Sequence, residues 1–228
     1  MAALDAELAR VAAVLLEDRV VRRVIKQHRR LPGIGLQVPH ARCYALASGE
    51  LAGIVEHHEL PIALAALPAH VVIFGGSRAA LAAGDRGELT RAWRAIFHGH
   101  VHLAFEQLAA RNQLPPGAVR ERIHRIGQTE FDEIRWVLRQ EDLLLPPGDD
   151  ATAYAEFVAL YLELQQFAPG ALERTFPTLE RARVDATIAL DLDGAALLAA
   201  ARPAGAPERP VPDAAAPARR AAAPAVSA

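Results

Sequence analysis

His98 and His102 stand four residues apart in AIFHGHVHLAFE (95–106), and Glu106 follows four residues later. On an α-helix each such step turns the chain by about 40°, so the three side chains share one face. A His-x3-His pair is the spacing at which two imidazoles can bind one zinc ion, with a carboxylate as a common third ligand. Glu106 is one candidate for that ligand. Glu156, on the polar side of a second predicted helix, is the other. His100 falls inside the apolar arc of the same helix and reads as a core histidine. The competing expectation for His98, His102 and Glu106 is a solvated polar stripe that binds nothing, and it is the expectation composition favours.

The segment HGHVH resembles the zinc-binding half of the HExxH metalloproteases, over five residues. Gly99 occupies the seat of the general-base glutamate in that motif. The resemblance therefore implies a pair of metal ligands and not the proteolytic mechanism.

Other combinations of residues are weaker. Glu121 and His124 form a Glu-x2-His pair, but di-metal carboxylate bundles use two such pairs and this chain has one. Glu156 and Glu163 share a helix face opposite Tyr154 and Tyr161, which predicts a solvated side. Glu56, His57, His58 and Glu59 are adjacent, so on a helix they point about 100° apart and seldom serve one ion. His40 precedes Cys43 by three residues, which admits a thiolate–imidazole pair, yet a cysteine beside Tyr44 and Leu46 is more often a small buried hydrophobe. VVIFGGSRAAL has the strand, glycine turn and helix start of a phosphate cradle but lacks its full glycine spacing, so a connecting turn capped by Ser77 is expected. RVVRRVIKQHRR (19–30) carries six basic residues and no acid. It is the one candidate for nucleic-acid binding, although cations suit the carboxyl end of any helix.

The elements that must position these residues are mostly helical. Leu4, Leu8, Val11 and Leu15 keep helical spacing, resumed by Val21 and Ile25, which predicts a helix over 3–29 with a kink or a cap at Asp18. Strand material lies at 35–46 and in HVVIFGG, giving a small two- or three-stranded β element near 36–74. Ser48 is placed to cap a helix reaching His58. Asp85 and Glu88 form a capping-box arrangement ahead of a helix to about Asn112. Further helices are predicted over 117–126, from a Thr129 cap to about 142, over 151–167 after an Asp149 or Asp150 cap, over 179–189 and over 194–201. From residue 202 the chain becomes rich in Ala and Pro, which predicts a disordered tail or linker.

The fold class is thus mainly α: one irregular helical domain over 1–201, the small β element, and the tail over 202–228. With 228 residues, 52% of them hydrophobic, the chain can bury a sizeable core; its net charge of −2 gives no overall pull towards nucleic acid or an anionic membrane. One cysteine excludes a disulfide within the chain, and a cytoplasmic setting is expected. The amino-terminal residues read as an amphipathic helix and not a secretory leader. The longest near-apolar run, PIALAALPAHVVIFGG, is too short to span a bilayer. Without a complete catalytic motif, the leading expectation is a non-catalytic interaction or scaffold module with a protein partner. The alternative is a metal-binding helical protein of zinc type, with a hydrolase as one form of it, using His98, His102 and Glu106 or Glu156; a basic-helix nucleic-acid binder is third.

Overall fold

The structure, a computed structural model, describes residues 2–31, 43–144 and 148–210. The chain is mainly α, with eleven α-helices and one three-stranded mixed sheet among the described residues.

The sheet draws its first strand from a place the sequence reading assigned to a helix. The expected helix over 3–29 is α1 (Ala2–Arg10), β1 (Ala13–Leu16) and α2 (Asp18–His28). Ala12, at φ 50°, turns the chain out of α1 and into the strand. All four residues of β1 are buried. A short apolar run of that kind carries no alternation, so its spacing cannot separate a covered strand from a helix. The other two strands are β2 (Cys43–Ala47) and β3 (His70–Gly75), both inside the expected region. β3 lies in the middle, parallel to β1 and antiparallel to β2. Val38, the other strand candidate, lies outside the described residues.

Alternation along the strands divides the core in two. Val14, Leu16, Leu46, Val71 and Ile73 face α2, whose Val20, Val21, Val24 and Ile25 are buried against them. Ala13, Leu15, Cys43, Ala45, Val72 and Phe74 face the helical body, beginning with α5 (Arg86–Ala110). The apolar side of the basic stretch is therefore consumed by the sheet, and Arg23 pairs with Glu59.

α5 is the spine. It packs on β2 and β3 with one side and on α8 (Asp150–Phe167) with another. α6 (Pro116–Ile126) and α7 (Gln128–Gln140) close around α8, followed by α9 (Pro169–Thr175), α10 (Arg181–Ile188) and α11 (Gly194–Ala200). Trp93 in α5 donates its indole N–H to the carbonyl of Leu198 at 3.0 Å, tying α11 to the spine.

Side-chain caps start four of the described helices, through Ser77, Asp85, Asp149 and Asp193. Asp85 accepts from the backbone N–H of Glu88 at 2.8 Å, and Asp149 from that of Thr152 at 2.7 Å. Glu88 does not reach back to close a capping box: its Oε1 accepts from the N–H of Ser77 at 2.6 Å, and Arg91 holds its Oε2. A carboxylate thus satisfies the backbone donor of the glycine turn after β3, where a phosphate cradle would use it on an anion. Ser77 caps α4 (Arg78–Ala82) as expected. Two caps differ from expectation. Ser48 is the first residue of α3 (Ser48–Ala52), a helix that ends well before His58, and its hydroxyl donates to the carbonyl of Pro68. Thr129 lies inside α7, which starts after Gly127 at φ 113°. Residues 202–210 stay on the folded body, with Ala206 buried in the core beside α5; the tail beyond Pro210 lies outside the described residues.

Candidate metal centre

α5 approaches the sheet at Gly99. A Cβ at this position would stand 2.4 Å from Cγ1 and 2.5 Å from Cγ2 of Val72, far inside van der Waals contact. The absence of a side chain lets the helix backbone settle on β3. His98 and His102, flanking that contact, are thereby held between the sheet and α8.

The predicted solvated stripe is not what forms. His98 is 3% exposed and Glu156 2%. Tyr154, Phe157, Val158, Tyr161, Leu162 and Leu164 are all buried on α8 as well, so the helix is covered on nearly every side. Its polar face, carrying Glu156 and Glu163, is turned to α5.

His98 and His102 meet at their Nε2 atoms, 3.2 Å apart. Glu156 offers Oε1 to His98 Nε2 at 3.6 Å and Oε2 to His102 Nε2 at 3.5 Å. One ligand atom from each of the three residues falls within 4.8 Å of the others. Bonds of about 2.0–2.1 Å at tetrahedral angles place neighbouring zinc ligands roughly 3.3–3.4 Å apart. The histidine pair is near that value, and Glu156 approaches each histidine with a different oxygen, at 3.6 and 3.5 Å.

The opposite edge of His98 is fixed by residues the sequence reading assigned no role. Its Nδ1–H donates to Glu163 Oε2 at 2.6 Å, and Arg94 Nε–H donates to Glu163 Oε1 at 2.5 Å. Burial and the histidine and arginine partners act in opposite directions on Glu163. The partners prevail and hold its carboxyl at about 2. An ionised carboxylate only accepts, so the imidazole must donate from Nδ1, which turns Nε2 toward His102 and Glu156. Burial opposes charge on His98, but hydrogen bonds and charge from Glu156 and Glu163 outweigh it and raise its pKa to about 10. The pocket between the two carboxylates is built to hold positive charge. In the absence of metal a proton supplies it, and a bound cation would displace that proton.

Of the predicted ligands, His98, His102 and Glu156 come together. Glu106 does not join them: it is exposed, one turn beyond His102, on the wall of a cavity of about 60 Å³. The same cavity is lined by His98, Gly99 and His102, and by Cys43, Tyr44 and Arg29 from the sheet side. Cys43 is buried, and His40 lies outside the described residues. His100 donates its Nε2–H to the carbonyl of Val11 at 2.8 Å, a half-buried histidine with a backbone partner, and burial pulls its pKa down. Since a carbonyl only accepts, that nitrogen carries the proton. Glu121 and His124 are exposed, as are Glu56, His57 and His58.

No protein-family model, curated protein or solved structure matches the chain. Among the described residues, no helix is long and apolar enough to cross a membrane.

Proposed function

We propose that this protein binds a zinc-type metal ion through His98, His102 and Glu156, with Glu163 and Arg94 orienting His98 from behind. The observation that carries the reading is the set of separations among His98 Nε2, His102 Nε2 and the Glu156 carboxylate, at a buried place. The carboxylate on His98 Nδ1 supports it, because metal-bound histidines are commonly held by such a partner. Among the described residues, the site offers three ligands beside a cavity. When bound there, the ion would supply Lewis acidity and lower the pKa of a coordinated water. Gly99 provides no base, so any proton transfer must draw on the cavity wall, where Glu106 stands.

The reading as an interaction module has less to draw on. Trp136 and Leu190 are the exposed large apolar side chains among the described residues, at 60% and 51%; isolated apolar side chains are ordinary on any surface.

Titrating metal-free protein with Co²⁺ and following its visible absorption tests the proposal. One equivalent is expected to bind with the intensity of a four-coordinate site. Glu156→Gln, which preserves shape, and His98→Ala with His102→Ala should each abolish that signal, with circular dichroism reporting on the fold. Binding well below one equivalent, or binding that survives the substitutions, would overturn it.

A further inference from the structure

The cavity beside the three ligands contains chemistry that the ligand set leaves unused. Arg29 follows the last turn of α2 and sits at the cavity with Tyr44 of β2. Its Nε–H donates to Tyr44 Oη at 3.3 Å, and its guanidinium lies 5.4 Å from the centre of the Tyr44 ring. Tyr44 Oη is in turn hydrogen-bonded to His28 Nδ1 at 2.7 Å, and His28 Nε2 lies 3.3 Å from Glu50. A row from Glu50 through His28 and Tyr44 therefore fixes the position of a cation that reaches the same cavity as His98 and His102. Arginine's planar fork suits a carboxylate better than any other side chain does.

Size narrows the choice. The cavity, at about 60 Å³, exceeds the roughly 10–15 Å³ that a single water needs and suits a small ligand. The wall opposite in charge is Glu106, whose carboxyl pKa is raised by the partial burial of its carboxyl and by Glu50 and lowered by His70, His28 and Arg29. Where it is ionised it repels an anion and limits how tightly one binds.

We infer that the cavity binds a small carboxylate, one part of it on the metal held by His98, His102 and Glu156 and the other against Arg29. This rests on the metal reading. Arg29 supplies the attraction, Tyr44 holds Arg29 in place, and Glu106 sets the upper limit of affinity.

Acetate titrated into the Co²⁺-loaded full chain, at constant ionic strength, tests the inference through the cobalt absorption spectrum. The spectrum should change saturably with one acetate per cobalt. Arg29→Ala should weaken acetate roughly tenfold, consistent with loss of a charge-assisted pair, and Arg29→Lys should restore part of it. Glu106→Gln should tighten acetate several-fold by removing the repelling charge. Each of the three variants should still bind one equivalent of cobalt, which shows that the centre itself is intact. Failure of cobalt to load would overturn both readings. Cobalt that loads but ignores acetate, or acetate affinity equal in Arg29→Ala and the parent protein, would overturn the carboxylate inference alone.

Discussion

Glu163 divides its two oxygens between Arg94 and His98, and in doing so decides which nitrogen of His98 faces the ligand group. Its replacement by glutamine removes the charge but keeps the size, so the fold should persist. Metal affinity should then fall about 10–100-fold at unchanged stoichiometry, the usual cost of losing such a partner; equal affinity in Glu163→Gln and the parent would show that Glu163 does not position the ligand. The histidine pair was legible in the sequence because its spacing of four is a local property of one helix. Glu156 could be nominated as a ligand for its residue type. Glu163 could not be assigned a role: its partners His98 and Arg94 lie 65 and 69 positions away, and whether a helix's polar side meets water or another helix is decided by packing.

At the scale of elements, the centre depends on how closely α5 lies on β3. Alanine is favoured over glycine by about 1 kcal/mol in a helix interior. At position 99 its Cβ would meet the β-branched Val72, which is stiff about χ1 and fully buried. Overpacking of this kind costs about 1–3 kcal/mol and outweighs the propensity gain. Gly99→Ala should therefore be less stable in urea than the parent, with part of the loss restored by Val72→Ala, since the two positions touch. A Gly99→Ala protein more stable than the parent would contradict the close approach. Two helix-like features of the sequence behaved differently here. α5 is long, capped by Asp85 and flanked by turns, and its bounds were readable. β1 was not, because Ala13–Leu16 is buried on both faces and its apolar residues continue the spacing of α1. The break comes from Ala12, whose left-handed backbone no alanine announces.

For the whole molecule, the two faces of one small sheet divide the core: α2 and Leu51 of α3 cover one, and α5 with the helices packed on it covers the other. Composition and helical spacing conveyed the mainly helical class, while the pairing of β1 with β3 required a contact across nearly sixty residues of chain. The three tyrosines report on this body. Burial raises the pKa of each: Asp191 adds to it at Tyr154, Asp185 at Tyr161, and Glu106 and Glu50 at Tyr44 against the opposing Arg29. A tyrosine that ionises less readily folded than unfolded keeps its stabilisation below the unfolded value near 10 and loses it as pH rises beyond. For Tyr154 the loss is about 1.4 kcal/mol per pH unit. Unfolding in urea should accordingly become easier above pH 10, with tyrosinate absorbance from Tyr154 appearing together with unfolding. Ionisation of Tyr154 near pH 10 in a protein still folded would contradict its burial.

The central claim is that His98, His102 and Glu156 hold one metal ion, and a crystal of zinc-loaded protein measured on both sides of the zinc absorption edge tests it most directly. The account predicts one anomalous peak per chain, bonded to His98 Nε2, His102 Nε2 and the Glu156 carboxylate, with Glu163 still on His98 Nδ1. Well-ordered side chains at these positions with no anomalous peak between them, or with zinc bound elsewhere, would contradict it.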